Sequence, residues 1–357
     1  MRRRFLPAFA VAIAAASCWP LAASGSSRLA EPWPENASVA PESVEIDSYS
    51  PFVPSAIGRD DAPATRARLT YYPPKGVGAG RKAPAVVLLH GAGGVLHARE
   101  GTYAAQLAEM GIAAVVVDVF AARRHLATSF VDRVIEITET MALTDAYATL
   151  GWLKRRAEID SDRIALWGFS YGAMSSVFAA NATIAERLAT VFDLGPTRYA
   201  GHIGFYGPCI TEFDEPRTTG APLLLAWGSG DELIDPDRCG GLAEQLRAGG
   251  SDVSTVVFEG AAHQWDGGWT GNRRIGRQIN QCRFRVDRRL EVRSGLLGVG
   301  MSDSTTRKLM LALCVGSEGY IISADRAVRE RSNRLVGEFL GRIFGLRAGG
   351  AGRPGGG

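Results

Sequence analysis

The stretch Gly168-Phe169-Ser170-Tyr171-Gly172 constrains this chain more than any other. Before it, Ile164 to Trp167 is apolar and reads as a strand. After it, the residues from Ala173 through Val177 to Ala180 read as a helix. A strand that turns into a helix within one residue forces the residue at the corner into a strained backbone conformation. Small residues two positions to either side relieve the collision between the two elements. The Ser170 hydroxyl is then held up at the positive end of a helix, where a nucleophile is useful. The plainer alternative is a Gly-rich turn whose serine caps the helix. The strand before and the helix after favour the first reading.

The rest of the chain supplies a frame for such a corner. Strands are expected at 67–72, 83–90, 112–120, 200–206, 221–228 and 252–259. Helices are expected at 100–110, at about 139–156, between the last two strands, and at 324–344. Short apolar strands alternating with helices predict an α/β fold, with a mostly parallel central sheet and helices on both faces. In such sheets ligands bind at the carboxyl ends of the strands, so chemistry is sought in the residues just after a strand.

A serine hydroxyl is a poor nucleophile at neutral pH. It needs a base to take its proton and an acid to orient that base. Two histidines follow Ser170. His202 lies inside an apolar strand and reads as a core residue or one behind the site. His263 follows the strand that ends near Glu259, where a base belongs. The acid is sought after the strand 221–228. Asp231 stands there, whereas Asp235 precedes Pro236 and reads as a helix cap. Asp231 is therefore the expected acid, and Glu232 and Asp237 read as solvated. The oxyanion of a tetrahedral intermediate needs N–H donors. Tyr171, the residue after the nucleophile, is one. Ala92, in the Gly-rich strand exit His90-Gly91-Ala92-Gly93-Gly94, is the other. Arg123, Arg124 and His125 read either as a carboxylate-binding group or as a solvated basic loop. Trp265 and Trp269 read as the lining of an apolar cleft or as core.

These pieces together resemble the dienelactone hydrolase-like branch of the α/β-hydrolase superfamily. PAVVLLHGAGG, DAYATLGWL, DRIALWGFSYG, IGFYGPC, GAPLLLAWGSGDELIDPDRC and VFEGAAHQWD fall in that family's order over roughly residues 65–267. The resemblance implies the α/β-hydrolase fold, with Ser170, Asp231 and His263 as a catalytic triad. One departure bears on the substrate. Dienelactone hydrolases proper carry cysteine at the elbow, so the serine points to carboxylic esters in general, small or polymeric, cleaved through an acyl-enzyme. Other readings are a prolyl-oligopeptidase-type serine peptidase and a non-catalytic binding protein on a hydrolase fold. The first customarily has a large N-terminal domain for which this chain has no room. Against the second, all three triad positions are filled.

The 357 residues are 46% hydrophobic with a net charge of +3. That suffices for one large core or two modest ones and gives no argument for a nucleic-acid partner. A basic start at Arg2-Arg3-Arg4, an apolar run from about Phe5 to Ala16, and Ala22-Ala23 form the pattern of a signal peptide over residues 1–23. The run is short for a membrane span. The mature protein is thus expected to be periplasmic or secreted, with no stable membrane span. Arg2-Arg3-Arg4-Phe5-Leu6 also resembles a twin-arginine export motif. Lipidation at Cys18 is the weaker alternative, since Ala15 stands where a larger aliphatic residue is usual. Residues 24–62 read as an extended arm with a strand near Val44–Ile46, residues 63–346 as the catalytic domain, and the Gly-rich residues 347–357 as a disordered tail.

Four cysteines remain after the signal peptide: Cys209, Cys239, Cys282 and Cys314. In an exported chain they suggest two disulfides, with three connectivities open. The family resemblance implies Cys209 with Cys239, as in exported members, and neighbouring parallel strands would bring those two to one edge of the sheet. Residues about 268–322 fit the family poorly and read as an insertion, with Cys282 and Cys314 as its staple. No Cys/His cluster has metal spacing, so neither metal nor cofactor is expected.

Overall fold

The computed structural model describes residue 29 and residues 32–78, 80–127 and 129–346. The segment expected to be a signal peptide, Cys18 within it, and the Gly-rich tail lie outside these residues. The elements up to the elbow are β1 (Glu42–Tyr49), β2 (Ala64–Tyr72), β3 (Ala83–Leu89), α1 (Thr102–Glu109), β4 (Ala113–Asp118), α2 (Phe130–Glu136), α3 (Glu139–Lys154) and β5 (Ile159–Phe169). Next come α4 (Tyr171–Ala180), α5 (Ala182–Val191), β6 (Gly201–Phe205), β7 (Thr211–Phe213), β8 (Leu223–Gly228), α6 (Pro236–Ala248) and β9 (Val253–Phe258). The remainder is β10 (Asn272–Ile275), β11 (Phe284–Val286), β12 (Val292–Ser294), α7 (Ser304–Ala312), β13 (Tyr320–Ser323) and α8 (Arg326–Ile343).

Eight strands form one sheet in the order β1-β2-β4-β3-β5-β6-β8-β9. β2 runs antiparallel to both its neighbours, and all other adjacent pairs are parallel. Every residue of β3 and of β8 is buried, as a strand covered on both faces must be. Alternation sends Ala85, Val87 and Leu89 to one face, where they share a core with Leu143 and Leu150 of α3 and Met174 of α4. Val86 and Leu88 face the other way and share a core with Leu107 of α1 and Phe339 of α8. Truncating one such leucine to alanine would cost about 2–5 kcal/mol.

The strand expected near Val44–Ile46 is β1, which pairs with β2 from Glu42↔Tyr71 to Tyr49↔Ala64. A boundary at residue 63 therefore falls between two strands paired along their length, and residues 42–49 are an edge of the main sheet. Farther upstream, Trp33 packs its ring edge-on against Tyr103 and Trp167.

Residues about 268–322 build a small annex. β10 pairs with β13, and β11 lies between β12 and β7, a strand that precedes β8 in the chain. α7 is closed at its start by Asp303, whose side chain accepts from Thr306 N–H while the Thr306 hydroxyl and the Asp303 backbone complete a capping box. Disulfides join Cys209 to Cys239, with Cα atoms 5.1 Å apart, and Cys282 to Cys314, with Cα atoms 4.9 Å apart.

Candidate active site

Ser170 sits at the corner between β5 and α4 with φ 52° and ψ −110°. Left-handed backbone of this kind costs a non-glycine residue about 1–3 kcal/mol and persists only where the surroundings enforce it. Here the surroundings are backbone. A Cβ on Gly168 would stand 2.0 Å from the Gly172 carbonyl oxygen, and a Cβ on Gly172 would stand 2.2 Å from that of Leu89. Only glycine fits at either position. Ser170 N–H donates to Phe205 O at 2.9 Å, tying the corner to β6.

Asp231 follows β8 and His263 follows β9, so the carboxyl ends of three strands converge. The His263 Nδ1 lies 2.7 Å from Asp231 Oδ2, and its Nε2 lies 2.9 Å from Ser170 Oγ. An ionised carboxylate can only accept, so Nδ1 carries the proton and donates it to Asp231. Nε2 is then the lone-pair nitrogen and accepts from the Ser170 hydroxyl. Asp231 Oδ1 accepts from Leu233 N–H at 3.0 Å, which fixes the carboxylate's rotation. Ser170, Asp231 and His263 are 5%, 4% and 0% exposed, so this chain of hydrogen bonds runs where water competes little. Asp235 is not part of it: its side chain accepts from Arg238 N–H at the start of α6, with Pro236 at the first helical position. Glu232 is exposed, and its carboxylate accepts from Ile321 N–H and pairs with Arg274.

Two aromatic rings flank the imidazole. Tyr206 and Tyr320 both stand edge-on to it, with centroids 4.8 Å and 5.1 Å away. The Tyr206 hydroxyl donates to Asp266 Oδ1 at 2.6 Å, and the Tyr103 hydroxyl donates to Asp266 Oδ2 at 3.1 Å. Burial pushes the Asp266 carboxyl up from its ordinary range, and the nearby Arg99 guanidinium opposes that push. Arg99 is itself buried against Glu100, its Nε donating to Glu100 Oε1 at 2.7 Å. A buried polar network thus backs the histidine loop.

Ser170 opens on a cavity of about 300 Å³, which Ala92 and Tyr171 also line. As the first residue of α4, Tyr171 has a backbone N–H with no intrahelical acceptor. Its phenol is turned away and donates to Ile137 O at 2.6 Å. His202 is buried inside β6, as expected for a core residue. Arg123 does not reach the cavity. Its guanidinium is buried, donating to both carboxylate oxygens of Asp145 and to Ser50 Oγ, while Arg124 and His125 are exposed. Trp265 is wholly buried and donates to Ser332 Oγ, and Trp269 packs with Leu233, Tyr320 and Ile322. Among the described residues, no group of three or more His, Cys, Asp or Glu side chains is arranged to hold a metal ion. None of their helices is long and apolar enough to cross a membrane.

A family model described as the dienelactone hydrolase family matches residues 70–266. The chain belongs to the dienelactone hydrolase family. It is a hydrolase with the α/β-hydrolase fold, and the match ends where the annex begins. A curated relative from Bradyrhizobium sp, named "Probable 2-oxo-3-(5-oxofuran-2-ylidene)propanoate lactonase", is 24% identical over 200 residues, spanning 51% of this chain and 73% of its own length. Among solved structures, MGS-M1, an α/β-hydrolase enzyme from a Medee basin deep-sea metagenome library, covers 78% of this chain and 93% of its own, with 17% identity and a TM-score of 0.48. The native form of the thermophilic esterase Est2 of Thermogutta terrifontis covers 65% and 84%, with 16% identity and a TM-score of 0.44.

Three features of this family member escape sequence reasoning. Tyr320 reaches His263 from the annex, with no motif around it. The cavity walls supplied by α2 and α7 come from short helices with weak apolar patterns. The Arg99–Glu100 pair lies before α1, where the sequence predicts only a helix over 100–110.

Proposed function

We propose that this member of the dienelactone hydrolase family cleaves carboxylic esters through an acyl-enzyme on Ser170. The Ser170 oxygen attacks the ester carbonyl carbon as His263 Nε2 takes the hydroxyl proton. The carbonyl electron pair moves onto oxygen, which the N–H groups of Tyr171 and Ala92 stabilise. The tetrahedral intermediate collapses, the C–O bond to the alcohol breaks, and His263 returns its proton to the leaving alkoxide. Water, deprotonated by His263, then attacks the acyl carbon; the C–O bond to Ser170 breaks, the acid is released, and His263 returns the proton to the Ser170 oxygen. Asp231 holds the imidazole in the required tautomer throughout. The observation that carries this reading is the continuous 2.9 Å and 2.7 Å chain from Ser170 through His263 to Asp231, facing an open cavity.

The basic and apolar N-terminal pattern, together with two disulfides, supports an exported protein whose mature form lacks residues 1–23. A single catalytic domain with an annex at about 268–322 accommodates all the described elements.

A fluorophosphonate probe tests the catalytic reading. Wild-type protein should be labelled at Ser170 and lose hydrolysis of p-nitrophenyl acetate in step with labelling, whereas Ser170→Ala should take up no label. A folded wild type that neither labels nor hydrolyses the ester would refute it.

A further inference from the structure

The cavity beside Ser170 has walls of two origins. One side lies within the family match and includes Met174, Leu233, and Val134 and Ile135 of α2. The other side comes from the annex, through Ile279, Leu311, Ala312, Val315 and Tyr320. Both sides are mainly apolar; the buried Gln278 is a polar residue of the annex wall, and among the described residues the two cations that line the cavity, Arg277 and Lys308, are exposed to solvent, where their charge stays hydrated.

The annex wall is held as a unit. Gln278 and Gly316 exchange backbone hydrogen bonds of 3.1 and 2.8 Å, and the Cys282–Cys314 disulfide closes the same two segments. Arg307 of α7 is buried, its Nη2 donating to Glu139 Oε1 at 2.9 Å and its Nε to Val134 O at 3.1 Å. These bonds dock α7 on α2 and α3 and keep the apolar residues of both sides facing one space.

We propose that this cavity receives a medium-length apolar group attached to the scissile ester bond, so that annex residues outside the family match set the chain-length preference. The inference rests on the esterase reading of Ser170. An apolar cavity of this size that opens directly on the nucleophile lets each methylene of such a group leave water next to the reacting carbon. Each one buried there is worth about fourfold in kcat/KM. The gain stops when the cavity is full. The group belongs either to the acyl or to the alcohol part, and the two substrate series below tell these apart.

The test measures kcat/KM for p-nitrophenyl esters from acetate through octanoate to laurate, and for n-alkyl acetates from ethyl to decyl. In one of the two series the value should climb about fourfold per methylene to a maximum and then fall. Ala312→Trp, an exposed position on α7 that needs no repacking of the core, should lower the ratio of the best ester to the shortest by about tenfold or more. Val315→Phe should act in the same direction if the first variant folds poorly. A wild type that hydrolyses acetate but gains nothing with length in either series overturns the pocket assignment. So do folded variants with the wild-type ratio. Failure of the esterase reading looks different, with neither acetate hydrolysis nor fluorophosphonate labelling, and the pocket assignment falls with it.

Discussion

Tyr320 of the annex stands edge-on to the His263 imidazole, with centroids 5.1 Å and planes 82° apart. The contact has backbone support, since Ser323 N–H donates to His263 O at 3.1 Å and Ile322 bridges to His263 in parallel register. A segment outside the family match is therefore fastened to the loop that carries the proposed base. Its ring edge limits how far the imidazole can swing from the Ser170 hydroxyl. Burial pushes the Tyr320 phenol up to about 12, so it stays neutral at working pH. Tyr320→Ala should lower kcat by about tenfold through misplacement of the imidazole. Tyr320→Phe, which keeps the ring, should lose much less. Equal losses in the two variants would transfer the role from the ring to the hydroxyl.

Asp231 and Asp235 stand four residues apart and hold different partners. Asp231 accepts from His263 and Asp235 from Arg238 N–H. Asp231→Asn should cut turnover by several orders of magnitude with little change in melting, because the amide no longer fixes the tautomer. Asp235→Ala should leave catalysis largely intact and destabilise by about 1 kcal/mol, as a lost helix cap does. Paired kinetics and melting curves read both effects, and the reverse pattern would exchange the two assignments.

The strained corner makes its own prediction. Gly168→Ala and Gly172→Ala each place a methyl group inside backbone atoms. Either change should move the Ser170 turn and abolish fluorophosphonate labelling, even in preparations that retain native secondary structure by circular dichroism. Normal labelling of either variant would mean that the corner relaxes at little cost.

What the sequence made readable is what local rules control. The buried strands, the helices between them and the glycines around Ser170 follow from periodicity and from close backbone approach. The placement of Asp231 and His263 beside Ser170 could be anticipated because residues that follow parallel strands gather at the carboxyl edge of the sheet. The annex was not readable in this way. Its strands, such as Phe284–Val286 and Val292–Ser294, are three or four residues long, too short for a periodic signal, and β11 finds its partner β7 from far upstream. Arg123 is a second case. Asp145 and Ser50, which hold it in the core, are 22 and 73 residues away in sequence, so its neighbourhood read as a pocket-facing carboxylate-binding group or a solvated basic loop, and Arg123 is neither.

The two disulfides close loops with sequence separations of 30 and 32. Chain entropy assigns each about 3–4 kcal/mol of stability, by restricting the unfolded chain. Their functional effects should differ. Cys282→Ser with Cys314→Ser loosens the annex wall and should reduce hydrolysis of the best long-chain ester more than that of acetate. Cys209→Ser with Cys239→Ser frees the start of α6, beyond the Asp231 loop, and should lower both alike. Urea unfolding and the ester series distinguish the pairs, and identical substrate profiles in the two double variants would argue against a substrate role for the annex staple.

His202 gives the fold an acid limit. It lies in β6 between Leu166 of β5 and Leu223 of β8, edge-on to the Tyr199 ring, and neither ring nitrogen has a hydrogen-bond partner among the described residues. Burial pushes its pKa down to about 3. The unfolded chain, with an ordinary histidine near 6.5, takes up this proton between about pH 6.5 and pH 3, and the folded chain does not. Stability from this residue is therefore complete above about pH 6.5 and falls as the pH drops, at up to about 1.4 kcal/mol per pH unit. His90 is shifted down by burial as well, its Nε2 accepting from Val119 N–H at 3.2 Å, so it adds to the same acid slope. His202→Leu removes the titrating ring and two unsatisfied buried nitrogens. It should leave stability at pH 7 equal or higher, and its melting temperature should decline less than that of wild type between pH 7 and pH 4. The remaining slope belongs in part to His90. Parallel melting curves for the two proteins across that range would show that His202 is not protonated on unfolding.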